Sequence, residues 1–131
     1  MDKKALLEAA IAARLNAYAP YSRFAVGAAL LGKSGRVYLG CNVENISYGL
    51  TQCAERNALA TAVAAGELAF ESVTIVADTE LPISPCGACR QVMAEFEADL
   101  EIVCATLSGQ SETFRLSQLF PRAKTGILDT K

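Results

Sequence analysis

The chain reads as an α/β protein, three-layered α/β/α, with helices on both faces of a central mixed five-stranded sheet. Two observations predict this. Apolar positions recur at helical spacing in some stretches and form short strand-length runs in others, and the segments follow the order α-β-β-α-β-α-β with a short fifth strand at the end. At 131 residues the chain is expected to form one domain, residues 1–131, burying roughly two thirds of the surface that its unfolded form exposes.

Each element has a local reason. Leu7, Ile11, Leu15 and Tyr18 share one helical face, and Pro20 closes that helix. "FAVGAALL" and "RVYLGCNV" flank the turn signal "GKSG" and predict a hairpin. After the loop "ENISYGL", Thr51 can cap a helix running to about Ala65, with Gly66 ending it. "ESVTIVA" reads as the third strand, "DTELPISP" as a loop and "CGACRQVMAEF" as a helix. "EIVCATL" is a fourth strand and "SETFRL" a short fifth after the turn "SGQ".

Composition excludes several functions. No run of about 18 apolar residues is present, so no membrane-spanning helix is expected. The N-terminal stretch reads as an amphipathic helix interrupted by Glu8 and Arg14 rather than a secretion leader, which points to the cytoplasm. The net charge of -2, with both signs interspersed, lacks the positive field that a polynucleotide partner would need. Five cysteines, an odd number without a leader, argue against a disulfide framework and for metal ligands or buried apolar residues. Histidine is absent, so proton transfer near neutral pH falls to a carboxylate, a thiol, a lysine or a bound water.

Two stretches carry chemistry. "TQCAERNAL" and "SPCGACRQV" both open predicted helices, where unpaired N–H groups and the helix dipole favour thiolates. Cys86 and Cys89 share the face of one first turn. By itself the C-x-x-C pair fits a zinc site, a redox dithiol or coincidence. Cys53 makes a third helix-start thiol, and three thiolates leave one open position on a tetrahedral zinc, as in catalytic rather than structural sites. Cys41 and Cys104 lie in apolar runs and read as core residues. Glu55, two residues after Cys53, can move protons to and from a zinc-activated water, or it can simply favour the helix dipole. Arg56 can offset the thiolate charge, or it can be a solvated helix residue.

"CAE" followed some thirty residues later by "PCGAC" resembles the zinc-dependent cytidine deaminases, as do "YAPYSRFAVGAAL" and "GCNVENISYG". Cysteine in place of histidine as the first ligand resembles the small, homotetrameric class acting on free nucleosides. The resemblance implies a cytidine deaminase-like fold and one zinc ion per chain on Cys53, Cys86 and Cys89, with Glu55 as the proton shuttle and Arg56 moderating the thiolate charge. It further implies that Asn42 and Glu44 hold the ribose hydroxyl, that Phe24 lies against the pyrimidine and that the backbone at Ala54 helps hold the base. The implied activity is hydrolytic deamination of cytidine and 2'-deoxycytidine in pyrimidine salvage, by zinc-bound hydroxide attack at C4, in a cytoplasmic homotetramer with active sites near subunit interfaces. The alternatives are a sibling deaminase of modified cytosine nucleosides or nucleoside antibiotics, a non-catalytic zinc scaffold, and a redox dithiol. Lys124 stands where the small class commonly carries an aromatic supplied to a neighbouring subunit, which bears on substrate range.

Overall fold

The computed structural model describes residues 1–123. Helix α1 (Lys3–Arg14) is followed by strands β1 (Val26–Gly32) and β2 (Val37–Cys41). A short 3-10 turn (Tyr48–Leu50) leads into α2 (Ala54–Ala64) and β3 (Phe70–Ala77). Then come α3 (Gly87–Ala94), β4 (Glu101–Thr106), β5 (Ser111–Arg115) and the four-residue α4 (Leu116–Leu119). The sheet order is β2-β1-β3-β4-β5. Every pairing is antiparallel except β3 with β4, with Ile75 opposite Cys104, so the sheet is mixed as expected.

Strand alternation sorts side chains onto two faces. Ala28, Leu30, Val73, Ile75, Ile102 and Cys104 pack with Ala54, Ala58 and Leu59 of α2 and with Cys89 and Met93 of α3. Their neighbours Ala29, Leu31, Val76 and Ala105 point the other way, against Leu6 and Ala10 of α1. This is the three-layer arrangement predicted above. Cys104 is fully buried and Cys41 half-buried; burial pushes the Cys104 thiol up to about 12, so it stays protonated near neutral pH.

Two helix details differ from expectation. Helix α1 ends at Arg14, and its buried residues are Leu6, Ala10 and Ala13, while Leu15 and Tyr18 are exposed. The cause is close approach to β1: a Cβ at Gly27 would lie 2.1 Å from the Ala10 carbonyl oxygen and 2.7 Å from the Arg14 nitrogen. Small residues therefore face the sheet, and the larger Leu7 and Ile11 pack at the edge. Helix α2 is capped by Cys53 rather than Thr51. Gly66, with φ of 92°, follows its end as predicted.

Candidate metal centre and active site

Helices α2 and α3 begin side by side on one face of the sheet, each with a cysteine at its N-cap. Neither Cys53 nor Cys86 makes a side-chain cap hydrogen bond, at positions where Ser, Thr, Asp or Asn would usually accept one. The two sulfurs turn towards each other instead, 3.8 Å apart, and Cys86 Sγ lies 3.5 Å from Cys89 Sγ. All three sulfurs fall within 4.8 Å of one another. A zinc–sulfur bond of about 2.3 Å gives a tetrahedral edge of about 3.8 Å, so the spacing fits that ion.

A glycine sets the position of α2. A Cβ at Gly40 of β2 would sit 2.3 Å from the Ala54 carbonyl oxygen and 2.4 Å from the Ala58 nitrogen. Only a residue without a side chain lets the first turn of α2 rest on the β2 backbone. Ala54 is fully buried there, and its N–H is among the unpaired donors of that turn.

The three thiols are unequal. A hydrogen bond from Cys89, aided by Arg56 against the cost of burial, brings Cys53 down to about 5. The same bond, burial and the nearby negative charges push Cys89 well above the ordinary thiol range. The Cys53 proton leaves readily and the Cys89 proton resists, a resistance that a bound cation would reverse. Arg56 Nη2 lies 3.5 Å from Cys53 Sγ and 3.4 Å from the Thr51 carbonyl oxygen, while its buried Nε has no hydrogen-bond partner among the described residues.

Glu55, in the first turn of α2, is 6% exposed. Burial is the main reason its carboxyl is pushed up to about 7; the Cys53 charge adds to the rise, and hydrogen bonds from its own backbone N–H and from Cys89 oppose it. The carboxyl can therefore exchange a proton near neutral pH.

Beside this corner lies a cradle of loop residues. Val43 exchanges two backbone hydrogen bonds of 2.9 Å with Gln52, which sets residues 42–44 next to Cys53. Asn42 accepts from the Val26 N–H at 2.9 Å and donates to the Phe24 carbonyl at 2.7 Å. Glu44 accepts from the N–H groups of Tyr21 (2.9 Å) and Ser22 (3.1 Å) and from the Ser22 hydroxyl, whose oxygen accepts from the Phe24 N–H at 3.0 Å. These bonds hold Arg23 at φ 58°, a left-handed conformation unusual for a residue with a side chain. Phe24 stays 39% exposed.

The structure thus brings Cys53, Cys86, Cys89, Glu55 and Arg56 into one corner and joins Asn42, Glu44 and Phe24 in an adjoining network. Sequence reasoning missed Tyr21, Ser22, Tyr48 and Thr51, which with Glu44 line a cleft of about 420 Å³. Tyr21, Ser22 and Tyr48 lie within the stretches that carry the family resemblance, but only Glu44 among the five was given a binding role. Lys124 lies outside the described residues.

Comparison with known proteins agrees with this geometry. Residues 1–106 match the family described as "cytidine and deoxycytidylate deaminase zinc-binding region". A cytidine deaminase of Halalkalibacterium halodurans is 52% identical over 126 residues, spanning 95% of this chain and 96% of that protein. One from Sporosarcina psychrophila is 48% identical over 124 residues, spanning 94% and 91%. The crystal structure of a Burkholderia pseudomallei cytidine deaminase matches with a TM-score of 0.90 at 51% identity, over 93% of this chain and 98% of that one. A Mycobacterium tuberculosis cytidine deaminase gives 0.83 at 40% identity, over 95% and 98%. The matched region runs from α1 through β4 and takes in both cysteine-capped helix starts, so the chain belongs to the cytidine and deoxycytidylate deaminase zinc-binding family.

Proposed function

We propose that this chain hydrolyses cytidine and 2'-deoxycytidine to uridine and 2'-deoxyuridine with release of ammonia, in pyrimidine salvage. The observation that carries the reading is a buried carboxylate, Glu55, against three sulfurs spaced for zinc. Zinc, one ion per chain, would be held by Cys53, Cys86 and Cys89 and would supply the acidity that makes water nucleophilic near neutral pH. Glu55 would accept one proton from that water and give it to N3 of the base, then take the second proton from the hydroxyl newly bonded to C4 and carry it to the amino group, which leaves as ammonia. Its raised pKa, about 7, suits both directions of transfer. Arg56, placed on Cys53 Sγ, offsets the charge of three thiolates.

Asn42 and Glu44 hold the sugar hydroxyl with the hydrogen-bonding capacity they do not spend on residues 21–26. Phe24 lies against the pyrimidine, and the backbone at Ala54 helps hold the base. The chain acts as one catalytic domain over residues 1–131 in a cytoplasmic homotetramer, with no polynucleotide or membrane partner. Association is supported by Tyr18, Tyr21, Val43, Ile46, Tyr48 and Leu50, all exposed on the loops around the cleft.

The test is an ultraviolet assay of cytidine loss on protein of measured zinc content, with uridine and ammonia quantified and Glu55→Ala beside it. Wild-type turnover at about one zinc per chain, with activity falling by at least about 10²–10⁴-fold in a zinc-retaining Glu55→Ala, is expected. Full zinc without turnover of either nucleoside would overturn the substrate assignment and leave the modified-nucleoside and scaffold readings.

A further inference from the structure

We propose that Arg90 is a positioning residue for the metal corner, bracketing Cys86 and registering it to α4 through hydrogen bonds to Pro85, Ser84 and Leu119. The proposal rests on the reading that the three thiols hold zinc. The three sulfurs are supported very differently. Cys89 is fully buried in the core, and Cys53 packs against that core from the start of a helix seated on β2. Cys86 is exposed, and its side chain caps nothing. Packing cannot hold its sulfur in place, so its backbone must.

That backbone is gripped from both sides by one residue. The Arg90 N–H donates to the Cys86 carbonyl at 3.0 Å, as the first turn of α3 requires. The Arg90 side chain folds back: Nε donates to the Pro85 carbonyl at 2.8 Å and Nη2 to the Ser84 hydroxyl at 3.2 Å. Among the described residues, no backbone-to-backbone hydrogen bond involves residues 78–85. The guanidinium therefore supplies what a sheet or helix ladder would supply elsewhere. Pro85 is fully buried and has no N–H, so its carbonyl is the one backbone group it can offer.

The third contact reaches further. Nη1 donates at 2.9 Å to the carbonyl of Leu119, the last residue of α4. That carbonyl has no partner within so short a helix. Leu119 and Phe120 pack against the same core cluster as Cys89. Arg90 thus ties the exposed ligand to a partly buried anchor that lies 29 residues from Arg90 in sequence. A planar guanidinium can satisfy two carbonyls and a hydroxyl at once, whereas a lysine ammonium on a flexible stem cannot match that fork.

The experiment follows zinc release from the loaded enzyme into a chromophoric chelator for wild type, Arg90→Lys, Arg90→Gln and Ser84→Ala. Val76→Ala serves as a core-destabilised control, since Val76 is fully buried on the opposite face of the sheet, against α1. Release about 10- to 100-fold faster in both Arg90 variants is expected, the usual effect of removing a support for metal ligands. Ser84→Ala, losing only the longest contact, should stay within about threefold of wild type, and Val76→Ala should lower the melting temperature without changing release. Cobalt substituted for zinc should show an altered visible spectrum in the Arg90 variants, reporting changed tetrahedral geometry. Arg90 variants that release zinc at the wild-type rate, or no faster than Val76→Ala at an equal loss of stability, would overturn the inference alone. Wild type that retains no zinc would overturn the metal reading along with it.

Discussion

The metal corner and the loop cradle beside it are built on opposite physical principles. The corner stands on burial: Cys89 and Ala54 are fully enclosed, Glu55 nearly so, and two helix starts are pressed against the sheet. The cradle stands on hydrogen bonds between loops, with buried Asn42 and partly exposed Glu44 holding residues 21–26. A proton shuttle needs a shifted pKa, which only desolvation and nearby charge provide. A sugar-binding group needs spare hydrogen-bonding capacity at the surface. The difference separates chemistry, fixed by the core, from recognition, carried by segments that can change without unfolding it.

Damage to the two regions should therefore have different signatures. Cys89→Ala should have the largest effect, removing a buried ligand and with it most of the zinc and at least about 10³-fold of the activity. Metal analysis beside turnover checks this, and full zinc occupancy in the variant would remove Cys89 from the ligand set.

Gly40→Ala attacks the corner without touching any reacting group. Its Cβ would press on the Ala54 carbonyl and the Ala58 nitrogen. We expect a loss of about 1–3 kcal/mol in stability, as for other overpacked sites, together with poorer zinc retention. Urea unfolding and zinc titration measure the two effects, and a wild-type unfolding midpoint would mean that α2 can shift freely on β2.

Glu44→Gln should act on the cradle alone. The amide NH2 cannot accept the hydrogen bonds that the second carboxylate oxygen accepts, so KM should rise roughly tenfold with zinc content unchanged, the usual scale for a hydrogen bond to a charged group. A change in zinc content would break the proposed separation of the two regions.

The smallest effect is a pH dependence. The Ser22 hydroxyl, helped by the Tyr21 and Ser22 N–H groups against some desolvation, holds the Glu44 carboxyl below its ordinary value of 4.5. A depressed carboxyl contributes stability above its unfolded pKa and loses it as the pH falls through the folded value. The Tyr21 and Ser22 amides should therefore loosen only below about pH 4.5. Amide NMR shifts would report this, and the step should vanish in Glu44→Gln.

Much of this site was legible in the residues. Three thiols, a carboxylate and no histidine restrict the chemistry so strongly that Cys53, Glu55, Cys86 and Cys89 stood out by type and spacing. The strands declared themselves through apolar runs of the right length. The buried face of α1 did not: Leu7, Ile11, Leu15 and Tyr18 form the more hydrophobic stripe, yet the sheet took Leu6, Ala10 and Ala13. Periodicity reports where apolar residues lie, but it cannot report that Gly27 makes room for alanines to approach closely. Thr51 is the better intrinsic cap, yet the helix starts after Cys53, because the sulfur faces the other thiols instead of the backbone.

Local chemistry, such as which groups can ligate a metal, move a proton or end a helix, belongs to residue types and short spacings, and could be read along the chain. Contacts between distant segments depend on how close two backbones come, which no local pattern encodes. The seat of α2 on Gly40, the raised pKa of Glu55 and the reach of Arg90 from Pro85 to Leu119 are all of that second kind. Each is a property of the space between elements, and that space exists only once the layers have packed.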